Sequence, residues 1–172
     1  FYEDPSVLYC SVHESGFMGG QGMPNEIGAG AGTGYNINYR IPLESTNDVW
    51  LRAFQFIEPI IQQFQPECII VSMGLDGHYS DPMGNLCLDS EAYLNFGKWI
   101  YNLSKTLCQN KVGFVLEGGY SLLMLGRLIE SIISPFLSNF KVFRSNSIFF
   151  FTNGSCFHLL CEHVYRFVSD IS

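Results

Sequence analysis

The chain has 172 residues, of which 47% are hydrophobic and 15% are charged, and its formal net charge is −7. This apolar fraction excludes a disordered polypeptide, and the length suits a single domain. An acidic surface is unsuited to gripping phosphate backbones, so we expect no direct nucleic-acid partner. No apolar run of about 18 residues occurs, so we expect no membrane span.

The six cysteines are scattered, mostly within apolar segments, and form no Cys-x-x-Cys pair. This pattern indicates buried free thiols in a reducing compartment rather than a disulfide framework. We therefore expect a cytoplasmic location, with the nucleus as the alternative. No signal peptide opens the given sequence, and its first residues, Phe1-Tyr2, are typical of the interior of a longer protein.

Three apolar runs predict β-strands, at residues 6–12, 68–73 and 112–116. The last two lack polar alternation, which favours strands covered on both faces of a parallel sheet. Between the first two runs, residues 18–38 contain seven glycines and predict a shaped surface loop. Their spacing does not fit the dinucleotide-binding pattern G-x-G-x-x-G, and an extended run follows, so we reject a nucleotide site.

Capping residues and apolar spacing predict three helices. Thr46 can cap the first, which Pro66 closes, Asp89 can cap the second, and the third covers residues 121–133. Alternation of strands and helices predicts an α/β fold in which functional residues follow the carboxyl ends of the strands.

The loop after the strand at 68–73 carries Asp76, His78 and Asp81. A carboxylate and an imidazole two residues apart suit a metal such as zinc. The alternative is that Asp76 and Asp81 only cap turns, as aspartate before glycine or proline often does. The local pattern alone leaves both interpretations open.

The loop after the strand at 112–116 reads Glu-Gly-Gly-Tyr and ends at Tyr120. Two glycines permit a tight bend that would turn the tyrosine hydroxyl toward the crevice. There it could donate a hydrogen bond to a developing oxyanion. The alternative is a tyrosine that merely packs at a strand–helix turn.

Together, several motifs resemble the histone deacetylase and acetylpolyamine amidohydrolase family. They are the Phe-Tyr-Glu-Asp-Pro start, Ser-Val-His, the glycine-rich loop, Gly-Leu-Asp-Gly-His-x-x-Asp-Pro and Leu-Glu-Gly-Gly-Tyr. The resemblance runs from residue 1 to about 137 and implies the later part of the catalytic domain. The fold it implies has three α-β-α layers around a mainly parallel sheet, incomplete in this chain. Residues 138–172 are an extension of unclear origin.

The resemblance also implies zinc-dependent hydrolysis of acetyl-lysine amides, with an acetylated peptide, protein or small amine as partner. Asp76 matches a zinc-ligand aspartate, and Tyr120 matches the tyrosine that polarises the amide carbonyl. Iron or cobalt could use the same ligands. The resemblance further implies two monovalent-cation sites suited to K⁺. Ser11 and the Val12 carbonyl match the inner site. The second site is matched by the carbonyls of Phe1, Asp4 and Val7 together with the Tyr35 hydroxyl.

Four residues match the substrate tunnel of the family: Phe17, Met18, Met83 and Gly119. Met18 stands where a second aromatic ring is usual. Met83 stands where polyamine deacetylases carry a glutamate, which favours acyl-lysine over polyamine. His78 and Asp81 match positions beside the zinc ligand, and His78 is expected behind it or at the surface.

The resemblance places the remaining zinc ligands, an Asp-x-His pair, and a pair of catalytic histidines upstream of Phe1. The chain alone is therefore predicted to be inactive, because a catalytic zinc needs three protein ligands. Two alternatives stay open: a non-catalytic remnant or binding module of the same fold, and an acetylpolyamine or small-metabolite amidohydrolase. A cluster near the end could bind metal or belong to an amphipathic helix; it comprises Cys156, His158, Cys161 and His163.

Overall fold

The computed structural model describes residues 1–16 and 20–137. The predictions for Phe17, Met18 and the extension at 138–172, with its cysteine–histidine cluster, lie outside the described residues.

Two parallel strand pairs form the sheet portion of the described chain. The strands are β1 (Tyr9–Glu14), which pairs with β2 (Asn36–Ile41), and β3 (Ile69–Met73), which pairs with β4 (Val112–Leu116). The two later strands fall where the sequence predicts them. The first begins three residues later than predicted, because the Asp4 carboxylate accepts hydrogen bonds from the Ser6 backbone N–H (2.9 Å) and hydroxyl (2.7 Å). This local turn competes with strand pairing.

Three helices accompany the strands: α1 (Asn47–Phe64), α2 (Ser90–Cys108) and α3 (Leu125–Leu137). The predicted cap of α2 is confirmed, since Asp89 accepts from the N–H groups of Glu91 (2.8 Å) and Ala92 (3.3 Å). Thr46 directly precedes α1, but its hydroxyl donates to Asp48 at 2.6 Å instead of capping the backbone.

The third helix differs most from its prediction. It begins at Leu125, four residues after the predicted start at Ser121, and runs through Pro135 to Leu137. The Ser121 carbonyl accepts from the N–H groups of Met124 and Leu125, both at 2.9 Å, so a turn precedes the helix. This turn separates Tyr120 from α3.

The core lies where α2 packs against α1 on one side and α3 on the other. Its buried centre includes Tyr93, Ile100, Leu128 and Ile132. A cluster of aromatic rings with centroids 4.7–5.7 Å apart fills the α1–α2 interface, formed by Trp50, Phe54, Tyr93, Phe96 and Trp99. Such offset and edge contacts add to the burial energy of the rings.

The expectation that β3 and β4 are covered on both faces is wrong for the described residues. Ile69, Val71 and Phe114 pack against the helical core, whereas Ile70 is 65% exposed. The helices lie on one face of the pair, and no described element covers the face that carries Ile70. A covering layer would have to come from outside residues 1–16 and 20–137.

The four described cysteines are free, but only Cys108 is buried. Cys10 is half-buried, and burial raises the pKa of its thiol to about 12, which makes it a poor nucleophile. The prediction of buried thiols is wrong for Cys68 and Cys87, which are exposed. Among the described helices, none combines the length and the apolar character that a bilayer crossing requires.

Candidate functional site

Two loops meet at the carboxyl ends of the β3–β4 pair: the β3 loop (residues 74–81) and the β4 loop (residues 117–121). The strands end in register, with Met73 opposite Leu116. The pairing then continues into the loops, because the Leu75 N–H donates to the Gly118 carbonyl at 2.9 Å and the Glu117 N–H to the Met73 carbonyl at 3.1 Å. The two sequence motifs are therefore neighbours in space, as predicted from the parallel order.

Both glycines of the β4 loop lie where a side chain would crowd its neighbours, and at one of them it would also strain the backbone. A Cβ at position 118 would lie 3.2 Å from the Asp76 carboxyl carbon, so glycine lets the backbone approach that carboxylate. Gly119 has φ +127°, which L side chains rarely adopt, and a Cβ there would lie 2.8 Å from the Leu75 Cβ. The glycine pair thus lets the β4 loop approach the Asp76 carboxylate just before Tyr120.

Asp81 joins the two loops directly. Its carboxylate, only 8% exposed, accepts at Oδ2 from the N–H groups of Tyr120 (2.6 Å) and Ser121 (3.0 Å). Its Oδ1 accepts from the Met83 N–H at 2.9 Å, which closes a local turn. For Asp81 the turn-capping interpretation is therefore correct but incomplete, because the same carboxylate also binds the β4 loop.

The Asp76 carboxyl lies half-buried in an acidic environment. Burial raises the pKa of Asp76, the negative charges of Asp81 and Glu14 raise it further, and its own backbone N–H opposes the shift. A bound cation would relieve both the burial cost and the repulsion.

Asp76 fits one position of a zinc site but not a whole site. A carboxylate oxygen is a normal zinc ligand, whereas a catalytic site takes three protein ligands. Within residues 1–16 and 20–137, no group of three or more His, Cys, Asp or Glu side chains is arranged to hold a metal ion. Further ligands would have to come from elsewhere.

The two described histidines are both engaged in hydrogen bonds. The His78 side chain is 1% exposed, so the expectation of a surface position is wrong, and a position behind the proposed metal ligand is compatible with the structure. Its Nδ1 accepts from the Ser80 N–H at 3.2 Å. Burial lowers the pKa of His78, and the charges of Asp89 and Asp81 oppose this. His13 lies 2.9 Å from both the Ser11 hydroxyl and the Gly22 carbonyl, which ties the glycine-rich loop to β1.

The rim around these loops is partly apolar. Tyr120 is 54% exposed, Met83 is 68% exposed and Tyr79 is 66% exposed, while Gly119 supports the bend. Exposure leaves the Tyr120 ring accessible to solvent, and its backbone is held by Asp81.

The residues matched to monovalent-cation sites lie in and before β1. Ser11 and Val12 are consecutive in β1, opposite Asn38 and Tyr39, and the Ser11 hydroxyl contacts His13. For the second site, the Phe1 carbonyl accepts from Asp4 (2.9 Å), the Asp4 carbonyl accepts from Val7 (3.4 Å), and the Tyr35 ring packs edge-on to Phe64. A carbonyl oxygen has two lone pairs, so these bonds leave acceptor capacity.

Two contributors to the site carry no local sequence signal. Glu14, at the end of β1, acts electrostatically on Asp76 and accepts from the Asn85 side chain at 3.1 Å. The buried Tyr93 hydroxyl donates to the Leu75 carbonyl at 3.3 Å and so supports the β3 loop from α2. Neither could be found by motif, because both contacts join segments distant in sequence.

Comparison with known proteins gives a consistent set of relatives. The histone deacetylase domain family matches residues 1–135. The chain is 34% identical over 122 residues to a probable deacetylase of Archaeoglobus fulgidus, covering 70% of this chain and 34% of that protein. It is 35% identical over 143 residues to a chloroplastic histone deacetylase 14 of Arabidopsis thaliana, covering 82% of this chain and 32% of that protein.

A solved structure shares the fold. The acetylpolyamine aminohydrolase of Burkholderia pseudomallei superposes with a TM-score of 0.74 at 26% identity, over 80% of this chain and 40% of that one. This likeness confirms the predicted three-layer α/β fold, of which the described residues supply the paired strands and the helices on one face. The chain spans about a third of the length of the curated relatives named above. On the match over residues 1–135 and these identities, the chain belongs to the histone deacetylase family.

Proposed function

We propose that residues 1–137 form the later part of a catalytic domain that hydrolyses acetyl-lysine amides with the help of a bound zinc ion. The observation that carries the proposal is the approach of Gly118, two residues before Tyr120, to the Asp76 carboxylate at the ends of two paired parallel strands. Membership of a deacetylase family supports it.

In this proposal Asp76 is one of three or more ligands, and the others come from outside the described residues. Zinc, when bound, supplies a Lewis acid that polarises the acetyl carbonyl and acidifies water. The negative charges around Asp76 favour a cation there. Cation binding by Asp76 is thus supported by donor type and by electrostatics.

Tyr120 is the proposed oxyanion donor. A phenolic hydroxyl can donate one hydrogen bond, and a donor aimed at developing charge strengthens as the carbonyl oxygen becomes negative. The side chain is 54% exposed, and its loop is fixed through backbone bonds, so the hydroxyl is available to a substrate. The role of Tyr120 is to stabilise the transition state, with no covalent step.

The described histidines are unsuited to serve as the general base. His78 is 1% exposed, and His13 uses both ring nitrogens in hydrogen bonds. A base contributes about 10²–10⁴ in rate. We therefore propose that the 172-residue chain is inactive by itself and depends on a preceding segment for the base and for the remaining ligands.

Acetylated polyamines are the second candidate substrate. A relative of known structure carries that activity in its name, and the charge of Glu14 near Asp76 would favour a cationic chain. Against it, the exposed Met83 in the rim provides no counter-charge. Acetyl-lysine in a peptide is therefore the first choice, and a small acetylated amine the second.

The direct test compares two polypeptides in zinc-containing buffer: the 172-residue chain, and the longest naturally encoded polypeptide that contains it, called here the extended polypeptide. We expect the extended polypeptide to hydrolyse an acetyl-lysine peptide and the 172-residue chain not to do so. For the extended polypeptide, we expect kcat/KM to be higher for the peptide than for an acetylated polyamine. Turnover by the chain alone would contradict the dependence on a preceding segment. An inactive, folded extended polypeptide would favour the non-catalytic remnant, and a reversed preference would favour the polyamine.

A further inference from the structure

The position of Tyr120 is not fixed by its own side chain. The ring is 54% exposed, and the two residues before it are glycines, of which Gly119 has φ +127°. Glycine restricts the backbone least of all residues. The residue after it, Ser121, begins a turn rather than a helix. Something outside the β4 loop must therefore hold this segment in place.

Asp81 makes the strongest contacts to it. One carboxylate oxygen receives two consecutive backbone N–H groups, from Tyr120 at 2.6 Å and Ser121 at 3.0 Å. Hydrogen bonds to a charged acceptor are about twice as strong as neutral ones, and burial to 8% exposure strengthens them further. A weaker second contact lies alongside, where the Ser80 and Ser121 hydroxyl oxygens are 3.3 Å apart.

Asp81 is itself held rigidly. Its N–H donates to the His78 carbonyl at 2.8 Å, and its second oxygen accepts from Met83 at 2.9 Å. It also belongs to the same short loop as Asp76. The loop that carries the proposed metal ligand therefore also carries the group that holds the proposed oxyanion donor.

We infer that Asp81 is a positioning residue, which fixes the distance between Tyr120 and Asp76 by binding the backbone of the β4 loop. This inference rests on the proposed function of Tyr120. Displacement of a catalytic group by about 1 Å can cost about 10²-fold in rate. Loss of the Asp81 carboxylate therefore acts on kcat through the Tyr120 hydroxyl.

The test is a double-mutant cycle in the extended polypeptide, with kcat and KM measured for an acetyl-lysine peptide. We expect Asp81→Ala to lower kcat by about 10²-fold with little change in KM. In a Tyr120→Phe background, the same change should lower kcat by less than about twofold, because the group that Asp81 positions is already gone. Asp81→Asn keeps the size of the side chain and one acceptor oxygen, so its kcat should lie between those of the parent and of Asp81→Ala. This variant also allows the test if Asp81→Ala does not fold.

Asp89 offers a matched control, since its carboxylate also accepts two backbone N–H groups, but at the start of α2. Asp89→Ala should lower the melting temperature and leave kcat unchanged. If the fold loss in kcat of the double variant equals the product of the losses in the two single variants, the two residues act independently and the inference is overturned. An unchanged kcat in Asp81→Ala would also overturn it. If Tyr120→Phe alone has no effect, it is the proposed function that fails.

Discussion

Tyr120→Phe is expected to lower kcat for an acetyl-lysine peptide by about 10²–10³-fold, the usual cost of losing one oxyanion donor. The change removes only the hydroxyl group. KM should change little, because a donor aimed at developing charge contributes more to the transition state than to substrate binding. Steady-state kinetics of the extended polypeptide would measure both constants.

The fold should tolerate this substitution. The ring is 54% exposed, and the loop is held through the Tyr120 N–H, which phenylalanine retains. Tyr9→Phe provides a matched control, because that side chain is 50% exposed and lies at the start of β1, outside the β3 and β4 loops. We expect the control to keep its kcat. Equal loss in both variants, or no loss in Tyr120→Phe, would contradict the assigned role.

Asp76→Asn is expected to abolish tight zinc binding and, with it, activity. Loss of a residue that only hydrogen-bonds to a metal ligand costs about 10–100-fold in metal affinity or activity. Loss of a charged side chain that binds the metal directly should cost more. Zinc titration and metal content of the purified extended polypeptide would measure the effect. Asp48→Asn is a suitable control, since that exposed carboxylate lies at the start of α1, where it contacts Thr46 and Arg52.

Stability separates this effect from misfolding. Burial raises the pKa of Asp76, so the ionised carboxylate opposes folding as the pH rises above the pKa of the unfolded state. A neutral asparagine removes that opposition at pH 7. The metal-free Asp76→Asn protein should therefore melt no lower than the metal-free parent, and the difference should disappear in acid. A lower melting temperature at neutral pH would mean that the carboxylate has a structural role.

Local features were predictable from sequence wherever a short-range contact determines them. Asp89 caps α2 through the two N–H groups that follow it, and β4 begins and ends where the apolar run does. The glycine pair before Tyr120 predicted a tight bend, which the φ of +127° at Gly119 confirms. In each case the determining atoms lie within a few residues.

The remaining features depend on contacts between distant segments. The bond from Tyr120 to Asp81 spans 39 residues, and nothing in either motif specifies its partner. The exposure of Ile70 could not be predicted either, because the apolar sequence pattern of a strand is the same whether or not another layer covers its face. The helix α3 begins later than predicted because a turn at Ser121 precedes it, and the spacing of apolar residues does not distinguish such a turn from the first turn of a helix.

The site could be predicted only in outline for the same reason. Parallel strand order brings the loops after β3 and β4 to one edge, so the loops that carry Asp76 and Tyr120 were predicted to be neighbours. It does not reveal the charge of Glu14 near Asp76, which comes from the end of β1. The acidity of the site, and with it the attraction for a cation or a cationic substrate, therefore became visible only in three dimensions.

The most direct test is a crystal structure of the extended polypeptide grown with zinc, with diffraction data collected on both sides of the zinc absorption edge. We expect an anomalous peak about 2 Å from an Asp76 carboxylate oxygen, with the Tyr120 hydroxyl turned toward that peak. A zinc peak elsewhere with Asp76 free of metal, or a Tyr120 hydroxyl directed away from it, would contradict the assignment.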